Sequence, residues 1–336
     1  MKRKKLKLLK YVIVFMAVFA LLGALAGPAT AAKKAIRFAD LSWDSAQVHN
    51  RIAGFIIKHG YGRDTEYIVG ETALLMTGLM RGDIDVNMES WTENIQEVYD
   101  KATKSGKVID LGPNYPDSWQ GWLVPTFVIK GDAKRGIKPM APGLKSVYDL
   151  PKYWKVFKDP ETPTKGRFYN SIPGWLCTKI NSKKLKAYGL DKYYTDFLPG
   201  SDAALAGSMV AAIKRGKPWV GYYWAPTWIL GKLDMTPLEE PPFDKKVWDT
   251  TNACAFRSVQ VNILVNTKFS KKYPKIVEML KKYETTTALN NEFLAYMQET
   301  KCSTEDGAIW FLKNKEDVWT KWVPADVAGK VKKALR

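Results

Sequence analysis

Apolar positions along this chain fall into two alternating periods. Ala35–Ala39 (AIRFA) is a short apolar run of strand length. Over residues 45–59, Val48, Ile52, Phe55 and Ile56 recur at helical spacing, closed by Gly60. Tyr67–Val69 reads as a second strand, and Glu71–Met80 as a helix with Leu74, Leu75 and Leu79 on its apolar face and Gly82 as its stop. Asp83–Met88 alternates polar and apolar as a third strand, with a helix over 92–104. Strands alternating with helices are the pattern of a parallel, doubly wound α/β sheet.

The alternation then restarts. Leu123–Ile129 reads as a strand, and the Lys-, Pro- and Gly-rich stretch 131–165 carries a short helix near Val147–Leu150. Arg167–Asn170 is a strand before a helix over 175–188. Ser201 is placed to cap a helix over 202–215, in which Ala204, Leu205, Val210 and Ile213 recur before Gly216. Trp219–Tyr223 and Val259–Val265 read as strands, and 270–336 as several amphipathic helices. The pattern predicts two α/β units with a helical tail.

The amino terminus breaks this pattern. Lys2, Arg3, Lys4, Lys5, Lys7 and Lys10 precede an uncharged run from Tyr11 to Ala26, followed by Gly27-Pro28 and Ala29-Thr30-Ala31. A basic segment, an apolar segment and an A-x-A site make a secretory signal peptide, residues 1–31, cleaved after Ala31 or Ala32. The run is shorter than the roughly 20 residues needed to span a bilayer. The first cysteine is Cys177, so no cysteine near the cleavage site offers a lipid attachment point. These features predict a soluble periplasmic protein.

Length and charge narrow the function. At 336 residues the chain has room for two domains. Two histidines, with no CxxC pair and no HExxH helix, argue against a zinc enzyme, and we expect no metal or cofactor. No GxxxxGK[ST] loop, GxGxxG turn or GxSxG elbow is present. Without the six basic residues of the leader, 46 basic residues stand against 34 acidic ones. The lysines are scattered (Lys183-Lys184, Lys271-Lys272, Lys281-Lys282, Lys332-Lys333), which predicts a solvated basic exterior rather than a nucleic-acid stripe. Cys177, Cys254 and Cys302 permit one disulfide, and the sequence does not choose it.

Of the 13 tryptophans, four fall just after predicted strands: Trp43 in LSWDS, Trp91 in NMESWTEN, Trp175 in IPGWLC and Trp224 in YYWAPTW. Trp122, in QGWLVP, stands at the entry to a strand. Open α/β sheets bind ligands outside the carboxyl ends of their strands. Two indoles from each unit would therefore converge on one cleft. Trp154, Trp219, Trp228, Trp248, Trp310, Trp319 and Trp322 lack this regularity and are assigned to packing. A box of indoles suits a quaternary ammonium, which has no N–H for an acceptor to grip and is attracted by ring faces. Each ring contributes about 0.5–2 kcal/mol once water is excluded. Indole faces also stack on sugar rings.

At these residues the chain resembles the substrate-binding proteins of ABC importers for glycine betaine and proline betaine, and their choline-binding relatives. The resemblance runs over about 35–320, through DLSWDS, GDIDVNMESWTEN, WQGWLVPTFV, IPGWLC, GSDAALAGSMVAAIKRGKPWVGYYWAP and VQVNILVN. It implies a periplasmic binding protein-like clamshell of type II, two doubly wound lobes joined by two crossovers. Lobe 1 would comprise 33–124 plus 257–336 and lobe 2 would comprise 125–256, with crossovers near Leu123–Pro125 and Ala255–Ser258. Trp91, Trp175 and Trp224 match the family's cage, Trp43 matches an aromatic of the choline branch, and Trp122 aligns with a tyrosine there. The backbone N–H groups of Leu176 and Cys177 would hold a ligand carboxylate, as the start of a helix can. An ABC permease is the implied partner of a monomeric, non-catalytic receptor.

Some positions depart from the family. Thr227 stands where many relatives carry His, and Ser45 where the choline branch carries Asp, with Asp44 one residue earlier. Asp44 is read as a cap of the following helix. Glu89 is read as a solvated or structurally paired carboxylate, or else a group facing the cation, and His49 and His59 as structural. Arg257, near the second crossover, is a further candidate partner for a ligand carboxylate. Choline, carnitine and trimethylamine N-oxide are alternative ligands, and a secreted carbohydrate-binding protein is the reading from another class.

Overall fold

A computed structural model describes residues 35–257 and 260–336. The signal peptide, Ser258 of the second crossover and Val259 lie outside the described residues. In chain order the strands are β1 (Ile36–Asp40), β2 (Thr65–Val69), β3 (Val86–Trp91), β4 (Val108–Tyr115), β5 (Trp119–Pro125), β6 (Gly166–Tyr169), β7 (Tyr194–Phe197), β8 (Gly221–Ala225), β9 (Met235–Pro237) and β10 (Val261–Asn266). They form two five-stranded sheets, ordered β2-β1-β3-β10-β4 and β7-β6-β8-β5-β9.

Both sheets are mixed rather than wholly parallel. In the first, β1 runs parallel to β2 and β3, while β10 is antiparallel to β3 and β4. In the second, β6 runs parallel to β7 and β8, while β5 is antiparallel to β8 and β9. The antiparallel strands are those nearest the changes of sheet. The chain leaves the first sheet at Tyr115 and enters the second at Trp119. Leu123–Pro125 therefore lies inside β5, and the first crossover of the division we propose moves upstream to residues 116–118.

Beyond Pro125 the apolar run becomes a short helix, Thr126–Lys130, not the expected continuation of a strand. Phe127 and Val128 are buried in either case, which is why periodicity alone could not separate the two. The strands the pattern missed, β4, β7 and β9, are all sheet edges. An edge strand has one solvated side, so β4 accommodates Asp110, Gly112 and Pro113 with register shifts in its ladder to β10, while the buried Asn114 donates its side-chain N–H to the Met88 carbonyl.

The helices that matter for function follow strands. They are α1 (Asp44–Tyr61), α2 (Thr72–Arg81), α3 (Gln96–Lys104), α4 (Leu176–Ala187) and α5 (Asp202–Lys214). α1 ends at Gly62, in the left-handed region at φ 64°, and not at Gly60, which stays helical against Val327. α2 stops at Gly82 as expected, but Leu74 is 69% exposed while Leu75, Met76 and Leu79 are buried. Ser201 caps α5, its hydroxyl oxygen accepting from the Ala204 N–H at 3.1 Å. The carboxyl-terminal helices pack with α1 on the first sheet, where Val48, Ile52 and Ile56 meet Phe293, Phe311, Trp319 and Trp322.

Candidate functional site

Four indoles reach the carboxyl ends of strands by three local routes. Trp43 occupies the N-cap position of α1, two residues after Leu41 carries the chain out of β1. Trp175 holds the same position before α4, reached through a turn whose Gly174 has φ 98°. Trp91 is the last residue of β3, and Trp224 is the penultimate residue of β8. All four line one cavity, together with Glu89, Leu176, Cys177 and Tyr222. The cavity volume is about 40 Å³.

The rings are linked edge to face. Trp43 and Trp175 have centroids 5.3 Å apart and nearly perpendicular planes, and Trp175 and Trp224 lie 4.9 Å apart in the same manner. Trp91 is set against Tyr115 at 6.4 Å. Trp43 comes from the first-sheet side and Trp175 from the second, so the cavity is built by both.

Glu89 organises the first side. Its Oε1 accepts from the Trp43 indole N–H at 2.6 Å, the Trp91 indole N–H at 3.0 Å and the Ser45 hydroxyl at 3.1 Å. The residue is 1% exposed. Burial raises its carboxyl above the ordinary range, opposed by the hydrogen bonds from Trp43, Trp91, Tyr115 and Ser45. Glu89 is thus the paired carboxylate of the sequence reading, and it also stands in the cavity wall. Burial and the nearby Glu89 push the Tyr115 phenol well up.

On the second side, the Trp175 indole N–H donates to the Ser42 hydroxyl at 3.2 Å. Leu176 opens α4, so N–H groups of its first turn have no intrahelical carbonyl to reach, and Leu176 and Cys177 both line the cavity. Burial pushes the Cys177 thiol up to about 11, which keeps it uncharged beside the Ser171 hydroxyl. Cys177, Cys254 and Cys302 are all free thiols.

Trp122 does not reach this cavity. It lies at the middle of β5, is 1% exposed, and donates its indole N–H to Asn181 of α4 at 2.8 Å. Its ring packs on Phe168 and Tyr188 beneath that helix. Its place before, rather than after, a predicted strand was the signal that it differs from the other four.

The remaining candidates disperse. Asp44 does not cap α1, whose N-cap is Trp43 with no side-chain bond; it stands in the first turn. Asp44 and Asp202 line a second cavity that shares Trp43 and Trp224 as walls. Burial raises both carboxyls, that of Asp202 to about 7 with help from Asp44 and Glu71. Thr227 caps the helix Trp228–Lys232, its Oγ1 accepting from the Leu230 N–H at 3.4 Å. Arg257 is largely exposed and pairs with Glu93 at 3.4 Å, and neither residue lines the cavity. His49 is buried, shares a 2.8 Å hydrogen bond with the Tyr283 hydroxyl, and is held uncharged by burial at a pKa of about 3. His59 is exposed and packs on Phe55. The sequence reading missed Ser42 and Tyr222, since nothing in the local pattern marks either.

Comparison with known proteins bears on the same residues. The model of the substrate-binding domain of ABC-type glycine betaine transport systems matches residues 34–314. The chain is 24% identical over 291 residues to the trimethylamine N-oxide-binding protein of Pelagibacter ubique, covering 86% of this chain and 90% of that one. It is 26% identical over 284 residues to the glycine betaine/proline betaine-binding periplasmic protein of Escherichia coli, covering 81% and 80%. The crystal structure of the glycine betaine/L-proline-binding protein ProX of Borrelia burgdorferi superposes with a TM-score of 0.72 at 19% identity, covering 89% of this chain and all of that one. The fold is that of the type II periplasmic binding proteins, two α/β lobes of mixed sheets.

Proposed function

Because this chain belongs to the family of substrate-binding domains of ABC-type glycine betaine transport systems, we propose that it captures glycine betaine between its lobes and delivers it to a membrane permease. The observation that carries this reading is the single cavity lined by Trp43, Trp91, Trp175 and Trp224. A trimethylammonium group offers no N–H, so ring faces are the groups suited to hold it. Three or four indoles supply a useful share of the roughly 8 kcal/mol behind a micromolar affinity. The carboxylate of the ligand would meet the N–H groups of Leu176 and Cys177 at the start of α4, where the helix favours an anion.

We propose a division in which lobe 1 comprises about 33–115 plus 257–336 and lobe 2 about 119–256, the first crossover moved to residues 116–118. Ligand gains its second set of contacts only on closure, so binding shifts the open–closed equilibrium by its differential affinity. The Escherichia coli relative, named as a periplasmic protein, supports export of this chain by its amino-terminal signal; we propose that it acts there as a monomer and hands its ligand to a permease driven by a separate ATPase.

Trimethylamine N-oxide is the second reading. It is favoured by the small cavity and by the relative of Pelagibacter ubique named for that ligand. Titration calorimetry with glycine betaine, trimethylamine N-oxide, choline and carnitine separates the readings. The carboxylated ligands alone need the α4 amides. Binding of glycans instead of any methylated amine would overturn the proposal.

A further inference from the structure

The cleft-facing turn before α4 makes a set of contacts to the opposite lobe that no cage role requires. The Trp175 indole N–H donates to Ser42 Oγ at 3.2 Å, and the Ser42 hydroxyl donates onward to Glu71 Oε2 at 3.3 Å. Ser42 follows β1 and Glu71 is the N-cap residue of α2, so both belong to the first-sheet side. Gly174 lies against the same Glu71. A Cβ built on Gly174 would stand 2.8 Å from Glu71 Cγ and 2.9 Å from its Cβ. Backbone of one lobe thus touches a side chain of the other, immediately before the indole that reaches across.

We infer that Ser42 and Glu71 form a cross-cleft latch that orients Trp175 and sets how long the closed state lasts. The inference rests on the proposed binding of a methylated ammonium in the indole cavity. Trp43 and Trp91 have their N–H groups tied to Glu89 within their own lobe. Trp175 has its N–H tied only across the cleft among the hydrogen bonds of the described residues. Its ring therefore acquires a fixed plane when the lobes meet, and that plane stands edge-on to Trp43. Closure and completion of the cage become one event. Ser42 is a two-sided relay in it: its oxygen accepts from Trp175 while its proton goes to Glu71, so Glu71 fixes the rotamer that can accept. Neither residue is required to touch ligand, and both are positioning residues.

Such a latch acts after encounter, so it belongs to the dissociation rate rather than the association rate. Stopped-flow tryptophan fluorescence with glycine betaine and with trimethylamine N-oxide tests it in the mature protein. Ser42→Ala and Glu71→Ala are each expected to raise the dissociation rate about fivefold, corresponding to one hydrogen bond, with the association rate and the ligand-free melting temperature unchanged. The double variant should be no worse than Ser42→Ala alone. In a Trp175→Phe background, Ser42→Ala should change nothing further. An unchanged dissociation rate in Ser42→Ala overturns the latch, as does an effect that persists undiminished in Trp175→Phe. A wild-type protein that binds none of the methylated amines defeats the functional reading instead. The latch is then judged by spin labels on the two lobes of the ligand-free protein, where Ser42→Ala must lower the closed population; an unaltered distance distribution overturns it.

Discussion

The two sides of the indole cavity are held by different means. On the first-sheet side, Trp43 and Trp91 share one buried acceptor, Glu89 Oε1, which also takes the Ser45 hydroxyl. On the second-sheet side, Trp175 and Trp224 lean edge-on against each other, and the Trp175 indole N–H donates across the cleft to Ser42. Orientation on the first side is part of folding, because leaving those N–H groups unpaired in the interior is costly. On the proposed reading, orientation on the second side is part of closure: one wall is built before ligand arrives, and the other is finished by its arrival. The physical lesson is that hydrogen bonds to rings decide when a binding site becomes rigid, while the ring faces decide what it holds.

The sharpest way to break this contrast is Glu89→Leu. It removes the acceptor of two buried indole donors, at about 1–3 kcal/mol each. We expect a clear fall in the ligand-free melting temperature, read by calorimetry, along with loss of binding. An unchanged melting temperature would show that the first wall is not part of the folded framework. Next come the rings themselves. Trp91→Ala and Trp224→Ala should each weaken glycine betaine binding at least about tenfold in isothermal titration. Wild-type affinity in both would remove the cage.

A smaller comparison keeps the rings and changes only their polar edges. Trp43→Phe takes a donor from buried Glu89 and should lower ligand-free stability by about 1 kcal/mol. Trp175→Phe should leave ligand-free stability alone and shorten the bound lifetime. Equal effects on stability would erase the distinction between the two walls.

A separate test, away from the two walls, concerns Asp202, whose carboxyl is raised to about 7 by burial, and further by Asp44 and Glu71. A carboxyl raised in the folded state is protonated there over a range where the unfolded chain has already lost its proton. Its ionisation therefore costs stability as pH climbs from the ordinary carboxylate range through about 7. Asp202→Asn removes that decline. Its melting temperature should match wild type near pH 4, exceed it increasingly up to about pH 7, and hold a constant margin above that. A constant difference from about pH 4 to about pH 7 would assign Asp202 no titration of its own.

Much of this was legible along the chain. α2 and α5 were readable because Gly82 and Ser201 carry the local chemistry of a stop and a start. Positions after strands singled out Trp43, Trp91, Trp175 and Trp224, because a side chain at a strand's carboxyl end has few places to go in an α/β sheet. The edges β4, β7 and β9 were not legible, since their polar residues obey solvent on one side rather than a two-residue period. Trp122 read as a cage candidate because it aligns with a tyrosine of the choline branch, yet Asn181, 59 residues away, claims its N–H.

The sequence by itself determined which segments are strand or helix along most of the chain, and that four indoles cluster in register with strand ends. Those are local matters of period, cap and turn. Only the tertiary structure decided that Glu89 would orient two of the rings, that Ser42 would meet Trp175, and that β5 would join the second sheet. Each of those depends on which distant groups compete for one buried donor or one open ladder, and that competition has no period to read.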